Sequence, residues 1–274
     1  MIMHRVARTL QLVVVLVLCC LSTRVCKCAT LEGQPVRPGA TLDIKFPVSQ
    51  HFQDYAAAGG NPRPTTGHAL ISFPKAFDPA RTWPILIVIS TADNHRTNLM
   101  DAPFYQEPGI AEGWIVLATD ATISPHDDSD SWRLGLLAAA IEMIHKNWPQ
   151  SMRWPVAFAG FSGGAKRSGY MAAMLASAQA VKICGLFLAG INDDQITLAY
   201  KRYNPPPSFL NIPIWLSSGT GDSTAPPWKH EHVRASLVNT GFKRVRVESF
   251  SGGHEVDPAQ VQLALRWFRQ LGSF

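Results

Sequence analysis

"VAFAGFSGGAKRSGYMAAM", residues 156–174, runs from an apolar stretch through Gly160-Phe161-Ser162-Gly163-Gly164 into a segment of small residues with helical period. Residues 156–159 read as a buried strand and Ala165 onward as a helix, so Ser162 falls on the sharp turn between them. Glycines two residues either side leave room for strand and helix to cross. A serine so placed stands above the sheet edge at a helix N-terminus, where developing negative charge meets the positive end of the dipole and the Gly163 N–H. The simpler alternative is a glycine-rich loop whose serine caps the helix. Gly-x-Ser-x-Gly alone arises by chance in roughly one chain in ten of this length, so its weight comes from the strand-turn-helix setting.

Working outward, short apolar runs alternate with longer segments of helical period at 41–47, 69–73, 84–90, 114–119, 155–159, 183–189, 213–218 and 244–250. Those after residue 80 are apolar almost throughout, as strands covered on both faces should be. Between them, Leu134, Leu137, Ala138, Ile141 and Ile144 mark a helix with a cap at Asp130 or Ser131. A second carries the small-residue stripe Ala165, Gly169, Ala172, Ala173 and Ala176. A third spans about 228–240 and ends at Gly241, and the last starts at Asp257-Pro258 with Val261, Leu265, Phe268 and Leu271 on one face. Residues 191–211, around Pro205-Pro206-Pro207, read as a loop with at most a short helix. The pattern predicts an α/β protein: a mostly parallel eight-stranded sheet flanked by helices, with no large lid domain and a fairly open site.

The first 28 residues differ from the rest. Arg5 and Arg8 precede the apolar run 12–21, and small residues follow, the pattern of a signal peptide that would make 29–274 the mature domain and the protein secreted or periplasmic. Lipoprotein anchoring is the weaker alternative, because Cys19, Cys20 and Cys26 lack the small residue expected before a lipidated cysteine. The run is too short for stable membrane insertion. Of 5 cysteines only Cys184 lies beyond the leader, which leaves no pair for an intramolecular disulfide. Taking Arg5, Arg8, Arg24 and Lys27 from 25 leaves 21 basic residues against 20 acidic, a balance that gives no reason to expect nucleic acid as a partner. Oligomeric state is not legible.

A serine hydroxyl is a poor nucleophile at neutral pH, so a reactive Ser162 requires a histidine base and a carboxylate to orient it. "SFSGGHEVDPAQVQLALRWF" supplies His254 between the last strand and the last helix, and "PIWLSSGTGDSTAPP" supplies Asp222 in the loop after the preceding strand. The bland readings are a solvated loop histidine and an ordinary Gly-Asp turn. Asp193 and Asp194, one strand earlier, are rival acids. His230 and His232 read as helix-surface histidines whose i, i+2 spacing is wrong for a metal pair. Asp127, Asp128 and Asp130 lack the glycine and distal glutamate of a calcium loop and read as a polar loop and cap.

The order Ser162, Asp222, His254, each after its own strand, resembles the α/β-hydrolase superfamily over about residues 40–274. More narrowly, Trp83-Pro84, "GWIVLATD", "AGFSGGA", "SGTGDSTAP" and "GGH" resemble secreted, lid-poor esterases related to polyhydroxybutyrate depolymerases and feruloyl or acetylxylan esterases. The resemblance implies Ser162 as nucleophile, His254 as general base and acid, Asp222 as orienting carboxylate, and the Gly163 N–H as one oxyanion donor. The second donor belongs to the loop after strand 84–90. There such enzymes carry His-Gly and this chain has Ser90-Thr91-Ala92-Asp93, so Thr91 or Ala92 would have to donate.

The implied reaction is hydrolysis of a small or polymeric carboxylic ester through an acyl-enzyme, with no metal or organic cofactor. A serine peptidase of the same fold and a non-catalytic binding protein on a hydrolase scaffold are the alternatives. Trp132 and Trp228 are candidates for lining the substrate site.

Overall fold

The computed structural model describes residues 29–91 and 95–272; the expected leader, 1–28, and Ala92 lie outside them. A two-residue hairpin, β1 (Thr30–Leu31) with β2 (Gln34–Pro35), precedes the main sheet. The main sheet comprises β3 (Thr41–Pro47), β4 (Thr66–Ser72), β5 (Ile85–Ile89), β6 (Ile115–Ala121), β7 (Pro155–Phe161), β8 (Lys182–Ala189), β9 (Pro213–Gly219) and β10 (Arg244–Phe250). These eight strands lie in the order β10-β9-β8-β7-β5-β6-β4-β3. The run from β10 to β6 is parallel, and β4 is antiparallel to both neighbours.

Period-two packing explains why the central strands are apolar throughout. In β5, Ile85, Ile87 and Ile89 enter one core while Leu86 and Val88 enter the other. The first core lies under α1 (Gln50–Ala56), α4 (Asp130–Asn147), α5 (Gly163–Ser177), α6 (Gln195–Tyr203) and α7 (Pro227–Thr240). The second lies under α2 (Asn98–Asp101), α3 (Pro103–Ala111) and α8 (Pro258–Gly272), whose Phe268 is fully buried. The edge strand β10 alternates charged Arg244, Arg246 and Glu248 with half-buried Val245 and Val247, which discourages pairing with another chain.

Two expectations are corrected. The α4 cap is Ser129, whose Oγ accepts the Trp132 N–H at 3.2 Å, because the Asp130 carboxylate is engaged by Arg167 Nε at 2.9 Å. The stretch read as a loop with at most a short helix carries, besides a 3-10 helix at Pro207–Asn211, the nine-residue helix α6, capped by the Asp194 side chain on Thr197 N–H and ended by Asn204 in the left-handed region. Its stripe of Ile196 and Ala199 is only two turns long, too short to announce itself before a proline run.

At the crossing of β7 and α5 two glycines are required by space. A Cβ on Gly164 would stand 2.3 Å from the Ile89 carbonyl oxygen, and one on Gly160 would stand 2.2 Å from the Gly164 oxygen. Backbone cannot retreat as a side chain can, so the two elements meet only where both positions are bare.

Beside the crossing lies a buried ion cluster that the aspartate-rich loop did not announce. Asp128 takes Arg133 Nε on Oδ1 and Nη2 on Oδ2, both at 2.6 Å, and Arg167 Nη1 on Oδ2 at 3.2 Å. All three side chains are under 9% exposed. Burial opposes the Asp128 charge, but the Arg133 and Arg167 guanidinium groups outweigh it and hold the carboxyl below its usual range.

Two outcomes follow for stability. Gly160→Ala and Gly164→Ala should each cost about 1–3 kcal/mol or more, lowering the melting temperature by roughly 2–4 °C per kcal/mol. Gly253→Ala, where a Cβ meets nothing within 4 Å, should leave it unchanged or slightly raised. Because the folded pKa of Asp128 is depressed, its contribution is present above the ordinary carboxylate value near pH 4 and is lost as pH falls through the folded value. Asp128→Asn should therefore cost about 3–5 kcal/mol at pH 7, by urea unfolding, and the gap to the wild type should narrow below pH 4.

Candidate active site

Three loops at the C-terminal ends of β7, β9 and β10 converge. Ser162 sits at φ 54°, ψ −118°, a conformation that costs a non-glycine residue about 1–3 kcal/mol. It is held there by its own N–H donating to the Ala189 carbonyl at 2.8 Å and by its carbonyl accepting from Ala165 at 3.1 Å. The serine side chain makes no capping bond, so the Oγ is left free for other chemistry at the first turn of α5.

The loops after β9 and β10 are laced together by backbone: Thr220 N–H donates to the Phe250 carbonyl at 2.9 Å and Gly221 N–H to the Gly252 carbonyl at 2.8 Å. This sets Asp222 opposite His254. Asp222 Oδ1 accepts the Thr224 and Ala225 N–H groups at 2.8 and 2.7 Å, forming the expected turn. Its other oxygen lies 2.7 Å from His254 Nδ1, and His254 Nε2 lies 3.0 Å from Ser162 Oγ. Burial works against the Asp222 charge, yet the Ala225 amide and the His254 imidazole hold its carboxyl below the usual range. An ionised Asp222 fixes the proton on Nδ1 and leaves Nε2 as an acceptor facing the serine hydroxyl. The imidazole also packs on Phe161, ring centroids 4.6 Å apart, and stays about a quarter exposed while the Asp222 side chain is 1% exposed.

Thr91 covers Gly163: its Oγ1 lies 2.1 Å from where a Gly163 Cβ would be, so Thr91 stands directly over the residue that follows Ser162. The rival acids are engaged by other partners. Asp193 accepts from Gln195 and Asp194 caps α6. His232 is exposed, but His230 is corrected from a surface residue to a fully buried one on the α7 face that also carries Val233 and Leu237.

Trp132 is 1% exposed in the core, bordering only a narrow cleft of about 100 Å³, and so offers no open platform; it packs rather than receives. Trp228 is 56% exposed at the start of α7, five residues past the Asp222-Ser223 turn that leads into the helix, with its ring on Lys229 and His232. Larger concavities lie elsewhere, among them one of about 580 Å³ near Lys182, Phe209 and Arg244 at the opposite strand ends. Among the described residues, no group of three or more His, Cys, Asp or Glu could hold a metal ion, and no helix is long and apolar enough to cross a membrane.

The residues that sequence reasoning missed are Arg133 and Arg167. Each stands in a helix between positions facing the core, and a charge on an apolar stripe was the available signal.

No protein-family model matches the chain, and no curated protein matches it. Solved structures do. A fungal esterase from Rhizomucor miehei is 11% identical with a TM-score of 0.60, the match covering 87% of this chain and 86% of the other. A fluorophosphonate-binding serine hydrolase of Staphylococcus aureus is 10% identical with a TM-score of 0.58, covering 84% and 98%. A ferulic acid esterase is 12% identical with a TM-score of 0.57, covering 85% and 98%. At such identities the likeness speaks for architecture, and together with the strand order of the described sheet it gives this chain the α/β-hydrolase fold.

Proposed function

We propose that the protein is a secreted serine hydrolase that cleaves carboxylic esters. The single observation that carries this reading is the hydrogen-bonded chain Asp222–His254–Ser162 ending at a serine held in a strained turn at a helix N-terminus. The names of the structural neighbours, esterases and serine hydrolases, point the same way.

In the proposed cycle Ser162 Oγ attacks the ester carbonyl as its proton passes to His254 Nε2. Charge developing on the carbonyl oxygen is met by the Gly163 N–H and by a donor from the Thr91 segment, at the positive end of the α5 dipole. Asp222 stabilises the imidazolium without taking its proton. Nε2 then returns that proton to the departing alcohol, leaving an acyl-Ser162. Water, deprotonated by the same nitrogen, attacks the acyl carbon, and the collapse frees the acid and restores the serine hydroxyl. None of these steps calls on a metal or organic cofactor. The partly exposed serine and histidine suit either a small ester or a polymer chain, and the exposed Trp228, at the start of the helix that follows the Asp222 turn, is the candidate surface for the latter. The leader at 1–28 would direct the chain out of the cytoplasm.

The test is hydrolysis of p-nitrophenyl acetate, butyrate and octanoate by residues 29–274, beside labelling by a fluorophosphonate probe. Ser162→Ala should abolish labelling and lower kcat by up to about 10⁶-fold, and Asp222→Asn should lower it by about 10⁴-fold. A folded protein that turns over none of the three esters and is not labelled would sink the reading. In a secreting host, the released protein should begin near residue 29; retention of the full chain inside the cell would refute secretion.

A further inference from the structure

The segment that follows β5 departs from the His-Gly of comparable enzymes, and its two ends are gripped by one side chain. Arg133, 6% exposed, enters from α4. Its Nη2 donates to the Thr91 carbonyl at 3.0 Å and to the Arg96 carbonyl at 2.8 Å, while Nη1 donates to Ser90 Oγ and Asn98 Oδ1. Asn98 Oδ1 also accepts the Ser90 N–H at 2.8 Å, and Ser90 Oγ donates to the Arg96 carbonyl at 3.2 Å. Nε donates to Asp128 Oδ1 and Nη2 also reaches Asp128 Oδ2, so the five N–H groups of the guanidinium serve six acceptors, with one Nη2 hydrogen shared. Asp128 in turn is bound by Arg167 of α5, five residues beyond Ser162, through Oδ2 and through its carbonyl, which accepts Arg167 Nη2 at 2.7 Å.

We propose that Arg133 is a positioning residue of the reaction: by holding the Thr91 and Arg96 carbonyls and the Ser90 hydroxyl, and by its tie through Asp128 and Arg167 to the serine-bearing helix, it fixes the Thr91 backbone over Gly163 and so sets the oxyanion site. The inference rests on the hydrolase reading given above. With its own carbonyl anchored and the preceding Ser90 N–H held by Asn98, Thr91 keeps its N–H direction without reorganising during the reaction. Only a planar fork can hold two carbonyls and a carboxylate at once; a lysine, with a single ammonium, keeps the charge beside Asp128 but not the grip.

The test compares wild type, Arg133→Lys and Ser90→Ala in p-nitrophenyl butyrate hydrolysis, with melting temperature and inhibition by a simple alkylboronic acid, which forms a tetrahedral adduct on the serine. Loss of an oxyanion donor typically lowers kcat by about 10²–10³-fold. Arg133→Lys should fall by about 10–100-fold in kcat with KM within about threefold, and should bind the boronic acid more weakly by a similar factor to the loss in kcat. Ser90→Ala, which removes one hydroxyl from the same grip, should lose several-fold in the same manner and keeps the test decisive if Arg133→Lys does not fold. An active wild type whose folded variants keep kcat and boronate affinity, losing only melting temperature, would overturn the positioning role alone and reduce Arg133 to a strut of the fold. A wild type that neither hydrolyses the ester nor labels with fluorophosphonate would overturn this role and the hydrolase reading together.

Discussion

The site depends on one unfavourable backbone conformation. Ser162 occupies φ 54° because β7 must end and α5 must begin within a single residue, with the serine at the apex. That turn is possible only where Gly160 and Gly164 let the helix start against the ends of β5 and β7. The local cost of about 1–3 kcal/mol is offset by the surrounding order: the Ser162 N–H joins the β7–β8 ladder, and the first turn of α5 forms on its carbonyl. The strain raises the Oγ above the sheet. It also fixes where a histidine must stand to reach it, and so where the loops after β9 and β10 must end.

Sequence carried the sheet well because its signal is redundant. A central strand such as Ile85–Ile89 is buried on both faces, so every residue in it is apolar and the run cannot be mistaken for a surface element. The candidate residues Ser162, Asp222 and His254 were legible for a related reason, since each sits in a glycine-marked turn directly after such a run. Tertiary competition hid the rest. Asp130 looks like the cap of α4 until Arg167 claims its carboxylate and Ser129 takes the role. Trp132 looks like a platform until the helix rotates it inward, and His230 looks solvated until the buried stripe of α7 is drawn through Val233 and Leu237. In each case the residue type permits both fates, and for Asp130 the partner that decides, Arg167, lies in the next helix.

The ion cluster of Asp128, Arg133 and Arg167 raises a question of purpose, because burying charges is a poor way to gain stability. Desolvation consumes most of the Coulombic return, and well-packed apolar residues would serve the core as well or better. The cluster sits, however, beside a turn whose carbonyls at Thr91 and Arg96 point inward and need donors. An apolar side chain could fill that volume but would leave the Ser90 hydroxyl as the one donor left to the two carbonyls, so at least one would go unsatisfied at about 1–3 kcal/mol. Arginine answers both carbonyls and the Ser90 and Asn98 oxygens with one rigid group. Its own charge then requires Asp128, and the second oxygen of Asp128 brings in Arg167. The chain of necessity thus runs from unsatisfied backbone in a loop to a carboxylate and on to the helix that carries Ser162. The charges are better understood as holding a geometry between the loop and the nucleophile than as adding to the stability of the core.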